Sequence, residues 1–365
     1  MHLNPKQTNK YHQYFIERNE RRCLNIEENY GREVVDYITK YADMADSGTE
    51  VMATAASFNI EIINLESLDV LINLKRINDI YNPNQFFSSV NEKLPPGGFF
   101  IGCVETIGSR KRRILNKNPR LIAYPHYFLD FILKRVFPKM ILTAKINRFL
   151  TRGENKAMSL TETLGRLVAC GFDLVDYREI GYLTYFVCKK IKIPFYSSTN
   201  KYGLIIRLKR IGRGGKFFDV YKFRTMHSYA EYLQTHVFTK NHFCDGCKFM
   251  NDFRITSWGR VMRKFWIDEL PMFINWFRRE MKIVGVRPLS EQFFSLYPQE
   301  FRLHRINYKP GLLPPFYADL PKTFEEIILS EQKYLAAYDQ SPWLTDFRYF
   351  LKGVYNILIK RARSA

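Results

Sequence analysis

The stretch "KIPFYSSTNKYG" (Lys192 to Gly203) constrains this chain most, because its Pro, Ser, Ser, Thr, Asn and Gly break every apolar periodicity around it. At 365 residues the chain exceeds what one hydrophobic core usually serves. The break is therefore expected to separate two domains, 1–192 and 204–365, joined by a linker at 193–203. A composition of 46% hydrophobic and 25% charged residues excludes a disordered or fibrous chain.

Before the break, strand-like and helix-like segments alternate. "EVMATA", "IEIINL" and "LDVLINLKRI" read as strands, and Asn84 to Leu94 carries helical spacing. The turn of "LPPGGFFIGCVE" leads into another apolar strand. "SLTETLGRLVACGF" reads as a helix with Ser159 as N-cap, Glu162 completing a capping box, and Gly171 at its end. "DLVDYREIGYLTYFVCKK" reads as a strand pair. This order resembles the C-terminal half of an S-adenosylmethionine-dependent methyltransferase fold, which implies an α/β, Rossmann-like first domain. The region before residue 75 holds only Gly31 and Gly48 and no Gly-x-Gly turn, so the cofactor has no seat. A degenerate methyltransferase-like domain is expected, without methyl transfer.

Lys and Arg outnumber Asp and Glu by 56 to 36, a formal charge of +20, so the chain attracts polyanions. Nucleic acid is not expected, since no recognition motif accompanies the charge. The start of the chain lacks the apolar core of a secretory signal, and its scattered cysteines suit a reducing cytoplasm. Cys244 and Cys247 form a CxxC to which His236 and His242 could be added. Zinc needs four ligands and no second pair lies nearby, so none is expected.

No apolar run reaches the roughly 18 to 20 residues of a spanning helix. "YFLDFILKRVFPKMILTAKINRFL" (Tyr127 to Leu150) mixes long apolar and basic residues, and Pro138 should kink it. It reads either as an interfacial helix or as a core helix with a basic outer face. The C-terminal "FRYFLKGVYNILIKRARSA" repeats the pattern. Together they imply a peripheral contact with an anionic membrane surface, at the inner face of the cell membrane.

After the break, Gly212, Gly214 and Gly215 turn the chain between "GLIIRLKR" and "FFDVYKFRTM", among Lys209, Arg210, Arg213, Lys216, Lys222 and Arg224. Downstream, in "RKFWIDELPMF", the adjacent carboxylates Asp268 and Glu269 lie among Arg254, Arg260, Arg263 and Arg287. Cations that balance phosphate oxygens around a positioned nucleophile are the parts of phosphoryl transfer. Asp268 stands where an N-cap would. That capping role alone stabilises a helix by about 1 kcal/mol, and a helix N-terminus would keep the carboxylate ionised.

"RIGRGGKFFDVYKFRTM", "NDFRITSWGRVMRKFWIDELP", "KIVGVRPLS" and "YKPG" follow one another as in the bacterial sugar transferase family, over roughly residues 205–311. The second domain is accordingly expected to be a small α+β phosphoglycosyl transferase domain. The resemblance implies transfer of a sugar phosphate from a UDP-sugar donor to a polyprenyl phosphate acceptor, in polysaccharide or glycoconjugate synthesis. It makes Asp268 the attacking carboxylate and Glu269 a magnesium ligand. Arg263 and Arg287 match phosphate-binding arginines, and Lys222, Arg224, Arg254 and Arg260 are further substrate-binding candidates. The chain departs from the family in three places. The usual re-entrant hydrophobic helix before the glycine hairpin is replaced by a strand pair and polar linker, Gly-Pro-Arg-Pro is "GVRP", and "LLPPFYADLPKTFEE" follows the Pro-Gly. The alternative is a catalytically inactive membrane-surface or polyanion-binding scaffold in the same pathway. These motifs specify neither the sugar nor an oligomeric state.

Overall fold

The computed structural model describes residues 5–63, 68–137, 154–194, 202–234, 236, 243–244, 248–249 and 252–360. The chain forms two compact units: Met1–Thr199 with Ser228–His236, and Asn200–His227 with Val237–Ala365. Pro138 and the remainder of its segment lie outside the described residues, as do Cys247, His242, most of the expected linker and the basic residues beyond 360.

The first unit is built on a five-stranded sheet in the order β1 (Thr49–Met52), β2 (Val70–Arg76), β3 (Phe99–Val104), β5 (Leu183–Lys190), β4 (Phe172–Ile180). The strands β1, β2 and β3 are parallel, β5 pairs antiparallel with β3, and β4 pairs antiparallel with β5 at the sheet's edge. Parallel strands covered on both faces read as continuous apolar runs, and "VLINL" and "FFIGCV" are such runs. On one face, Ile72, Leu74, Ile101, Tyr185 and Val187 pack with Val34, Val35 and Ile38 of a helix at Arg32–Ile38. On the other, Phe100 meets Phe86, Phe87, Phe172 and Phe186 at ring-centroid distances of 5.6 to 6.5 Å.

The α/β architecture expected of this half is present, and so is its helix boundary. The Ser159 side chain accepts from the Glu162 amide at 3.1 Å, and Gly171 takes the left-handed conformation beyond the helix Leu160–Ala169. The Glu162 carboxylate also pairs with Arg135 and Arg166. The expected strand "IEIINL" does not form over its described residues: Ser57–Glu61 is a short helix, with Ile60 buried and Phe58 and Ile62 exposed. Residues that follow β1 are held by Asn73, whose side chain accepts from the Thr54 amide at 2.9 Å and donates to the Thr54 carbonyl at 3.0 Å.

The second unit opens with the hairpin β6 (Ile205–Ile211) and β7 (Phe217–Phe223), paired antiparallel from Ile205↔Phe223 to Ile211↔Phe217. A parallel pair, β10 (Lys282–Val284) and β11 (Gly311–Leu313), lies in a second core with Val284, Val286, Leu289, Tyr297, Phe301, Tyr334 and Leu335. A smaller core of Val220, Met272 and Met281 fixes β7. At the C-terminal end, the helix Pro342–Leu358 buries Thr345, Gly353 and Asn356 and leaves Phe347, Leu351, Tyr355 and Leu358 exposed. Among the described residues no helix is long and apolar enough to cross a membrane.

Candidate active site

The site begins at the hairpin. Gly214 and Gly215 both have positive φ, which lets five residues reverse the chain between strands in tight register. From the returning strand, Lys222 donates to the Glu269 Oε1 at 2.6 Å, a half-buried ion pair between residues far apart in sequence. What holds them together is Asn275. This buried amide accepts from the Tyr221 amide at 3.1 Å and donates to the Asp219 carbonyl at 2.6 Å, so the segment after the carboxylates is laced onto β7.

Asp268 and Glu269 do not cap a helix. They are the second and third residues of a 3₁₀ turn, Ile267–Met272, which precedes a short helix at Phe273–Phe277. Trp266 before them has φ 61, a left-handed conformation that strains a bulky side chain. That kink, and Pro271 within the turn, divide a segment whose apolar spacing reads as one helix.

The opposite wall is the helix Ser257–Lys264, capped by Thr256, whose side chain accepts from the Gly259 amide at 2.8 Å. A Cβ on Gly259 would lie 2.0 Å from the Thr225 carbonyl oxygen, so only glycine admits this approach of helix to strand end. Close approach brings the Arg263 Nε within 3.0 Å of the Thr225 hydroxyl and its charge into the field of Asp268. Burial pushes the Asp268 carboxyl above the usual carboxylate range and the Glu269 charge pushes it further. Lys222 and Arg263 pull in the other direction without cancelling the shift. The expected ionising effect of a helix N-terminus is therefore replaced by a carboxylate held above its ordinary pKa.

Arg287 follows β10 and precedes Pro288. Its amide donates to the Glu331 Oε1 at 3.1 Å, and its carbonyl accepts from the Arg305 Nη2. Arg305 and Glu331 are both buried and paired at 2.7 Å. The Arg287 guanidinium lies 5.8 Å from the Phe316 ring centroid. Phe316 contacts Tyr317 at 4.0 Å, and Tyr317 contacts Trp266 at 4.2 Å, so an aromatic bridge connects the arginine to the residues before Asp268. Arg210, lowered in pKa by burial and then by the Arg287 charge, is a further cation beside it.

The structure thus gathers Asp268, Glu269, Lys222 and Arg263, and connects Arg287 to them through rings. The other candidates are placed differently. Arg254 is buried against Asp252, with Nε at 2.9 Å and Nη2 at 2.7 Å from its two oxygens. Burial would raise Asp252, but these bonds outweigh it and hold the carboxyl below its ordinary range. The Arg224 Nε donates to the Gly203 carbonyl at 3.0 Å, its guanidinium over Tyr202. Arg260 is exposed on its helix. Sequence reasoning missed Thr225, Trp266, Phe316, Tyr317, Arg305 and Glu331. Thr225, within "FFDVYKFRTM", and Trp266, within "RKFWIDELPMF", stand inside the quoted motifs, and Arg305 and Glu331 carried no signal.

A family model described as bacterial sugar transferase matches residues 180–360. The chain is 36% identical over 109 residues to the galactosyl transferase CpsE of Streptococcus agalactiae, covering 30% of this chain and 24% of that protein. It is 35% identical over 107 residues to the UDP-N-acetylgalactosamine-undecaprenyl-phosphate N-acetylgalactosaminephosphotransferase of Aeromonas hydrophila, covering 28% and 22%. The matched stretch therefore spans about a quarter of each of these relatives. Among solved structures, an O-methyltransferase family protein from Burkholderia thailandensis aligns with 38% of this chain and 34% of its own at 13% identity and a TM-score of 0.22. That likeness is too slight to argue from. With its hairpin, its carboxylate pair and its arginine motif inside the matched stretch, the part of the chain over residues 180–360 belongs to the bacterial sugar transferase family.

Proposed function

We propose that the chain is a phosphoglycosyl transferase that moves a sugar phosphate from a UDP-sugar to undecaprenyl or a related polyprenyl phosphate, in polysaccharide synthesis. The observation that carries this reading is the Asp268–Glu269 pair set against Lys222 and Arg263 within the family-matched stretch.

In the proposed reaction a carboxylate oxygen of Asp268 attacks the phosphorus bonded to the sugar. The bond from that phosphorus to the bridging oxygen breaks, and UMP leaves with the electron pair. A phosphate oxygen of the polyprenyl phosphate then attacks the same phosphorus and expels the Asp268 carboxylate. No proton need be transferred in either step. Lys222 and Arg263 offset the diphosphate charge, and Arg287 binds phosphate oxygens. An acyl phosphate is a good leaving group, which makes the covalent route chemically sound.

Magnesium suits the donor set. The Glu269 charge raises the proton affinity of the adjacent Asp268, and a hard dication, which prefers carboxylate, phosphate and water oxygens, would relieve that repulsion. Glu269 would hold the ion, and it would neutralise charge on the diphosphate. Chelation should abolish turnover and added magnesium restore it. The exposed apolar residues of the C-terminal helix at Pro342–Leu358 suit an anionic membrane surface, where such an acceptor resides.

The test is incubation with magnesium, polyprenyl phosphate and a panel of UDP-sugars, followed by UMP quantitation and mass analysis of the peptide containing Asp268. UMP release with a phosphosugar adduct is expected, and Asp268→Asn should lower the rate by at least about 1,000-fold. Full activity in that variant, or no UMP from any donor, would end the proposal.

A further inference from the structure

A helix in the first unit, outside the family-matched stretch, is turned inside out. Between Arg120 and Phe131 the sequence "RLIAYPHYFLDF" forms a helix that buries only Ala123. Leu121 is 91% exposed, Phe128 65% and Tyr124 63%, and Ile122, Leu129 and the following Leu133 are exposed as well. With about 3.6 residues per turn, these positions cover one continuous half of the helix. Its single carboxylate points the other way. Asp130 accepts from the Arg110 Nε and Nη2, both at 2.7 Å, and Arg110 is itself buried and bound to Glu105 at 3.1 Å.

A water-facing helix places its charges outward and its apolar stripe inward. Here a buried arginine locks the opposite orientation. Rotating the helix to hide Leu121 and Phe128 would pull Asp130 away from Arg110 and leave a buried guanidinium without this partner, which is strongly unfavourable. The apolar half is therefore held outward by the fold, and it is larger than scattered surface residues explain. Its margins are cationic: Lys117 and Arg120 are exposed at one end and Lys134 lies at the other, with no acid on the outward half. Apolar residues edged by cations complement an anionic bilayer, whose surface attracts Lys and Arg while its interior accepts the rings.

We propose that this helix is a membrane-docking face, seated in the headgroup region of an anionic bilayer. It places the first unit on the surface that, on the reading above, carries the acceptor lipid. Thr106, Ser109 and Arg110 lead into it from β3, so the face is fixed to the sheet, not carried on a free arm.

The test uses the full chain and lipid vesicles without substrate, so that it succeeds or fails independently of the transfer reaction. Wild type should cosediment with vesicles containing phosphatidylglycerol and bind phosphatidylcholine vesicles at least ten-fold more weakly. Leu121→Glu combined with Phe128→Glu replaces exposed side chains, so its melting temperature should stay at the wild-type value while its vesicle affinity falls at least ten-fold. Hydrogen exchange in peptides covering residues 120–131 should slow on anionic vesicles. Unchanged affinity in the double variant overturns the proposal, as does exchange that does not respond to vesicles. Conversion of an oligomer to a monomer in sedimentation, with vesicle binding intact, would assign the face to a second copy and overturn it equally.

Discussion

The carboxylate of Asp268 lies between opposed influences, and their balance has a measurable consequence. Burial and Glu269 favour the protonated acid, while Lys222 and Arg263 favour the anion, and the first pair wins. Attack on phosphorus needs the anion, so kcat/KM should rise with pH through a pKa above the ordinary aspartate value of about 3.9. Removing the neighbouring charge with Glu269→Gln should shift that acid limb to lower pH in the activity that remains. A limb that stays in place or moves upward would show that Glu269 does not set the proton affinity of Asp268. Asp268 and Glu269 were legible because two acids are conspicuous in a basic stretch. The protonation of Asp268 was not, since it depends on burial and on Lys222, which pairs with Glu269 across 47 residues of sequence.

At the scale of elements, the arginine loop is held from behind. Pro288 restricts Arg287 to extended conformations. Both main-chain polar groups of Arg287 are then fixed by the buried Arg305–Glu331 pair, contributed by the helices Gln299–Arg305 and Phe324–Gln340. Glu331→Gln should destabilise the fold by about 3 to 5 kcal/mol, the range for breaking a buried pair, measured by urea unfolding. It should also lower kcat/KM, and that loss should shrink in an Arg287→Ala background, because both changes act through one side chain. Additive losses would restrict the pair to a structural role. Strand pairs such as β4/β5 and β6/β7 were readable from alternating side chains bounded by glycine turns. Asp268 reads as an N-cap because Leu270, Phe273 and Trp276 after it recur near helical spacing, whereas the chain forms a 3₁₀ turn there, and a left-handed Trp266 leaves no trace in composition.

At the scale of the molecule, the first unit is completed by a short segment from far along the chain, Ser228–His236. Tyr229 accepts from the Asn84 Nδ2 at 2.6 Å and lies under the Arg166 guanidinium at 4.4 Å. Its carbonyl comes so close to Gly165 that a Cβ there would sit 2.3 Å away. Tyr229→Ala should therefore destabilise the first unit by about 3 kcal/mol, seen as a lowered transition for that unit in calorimetry. An unmoved transition would show the segment to be dispensable. The sequence by itself determined the α/β order of the first half, the glycine hairpin, the succession of motifs and the +20 charge, because helix caps, turns and periodicity act within a few residues. Tertiary structure alone decided that Lys222 faces Glu269, that Glu331 reaches Arg287 across 44 residues, that Arg254 is engaged by Asp252, and that the 120–131 helix turns its apolar half outward. Each of these depends on which charges burial forces together, and burial is a property of the packed chain.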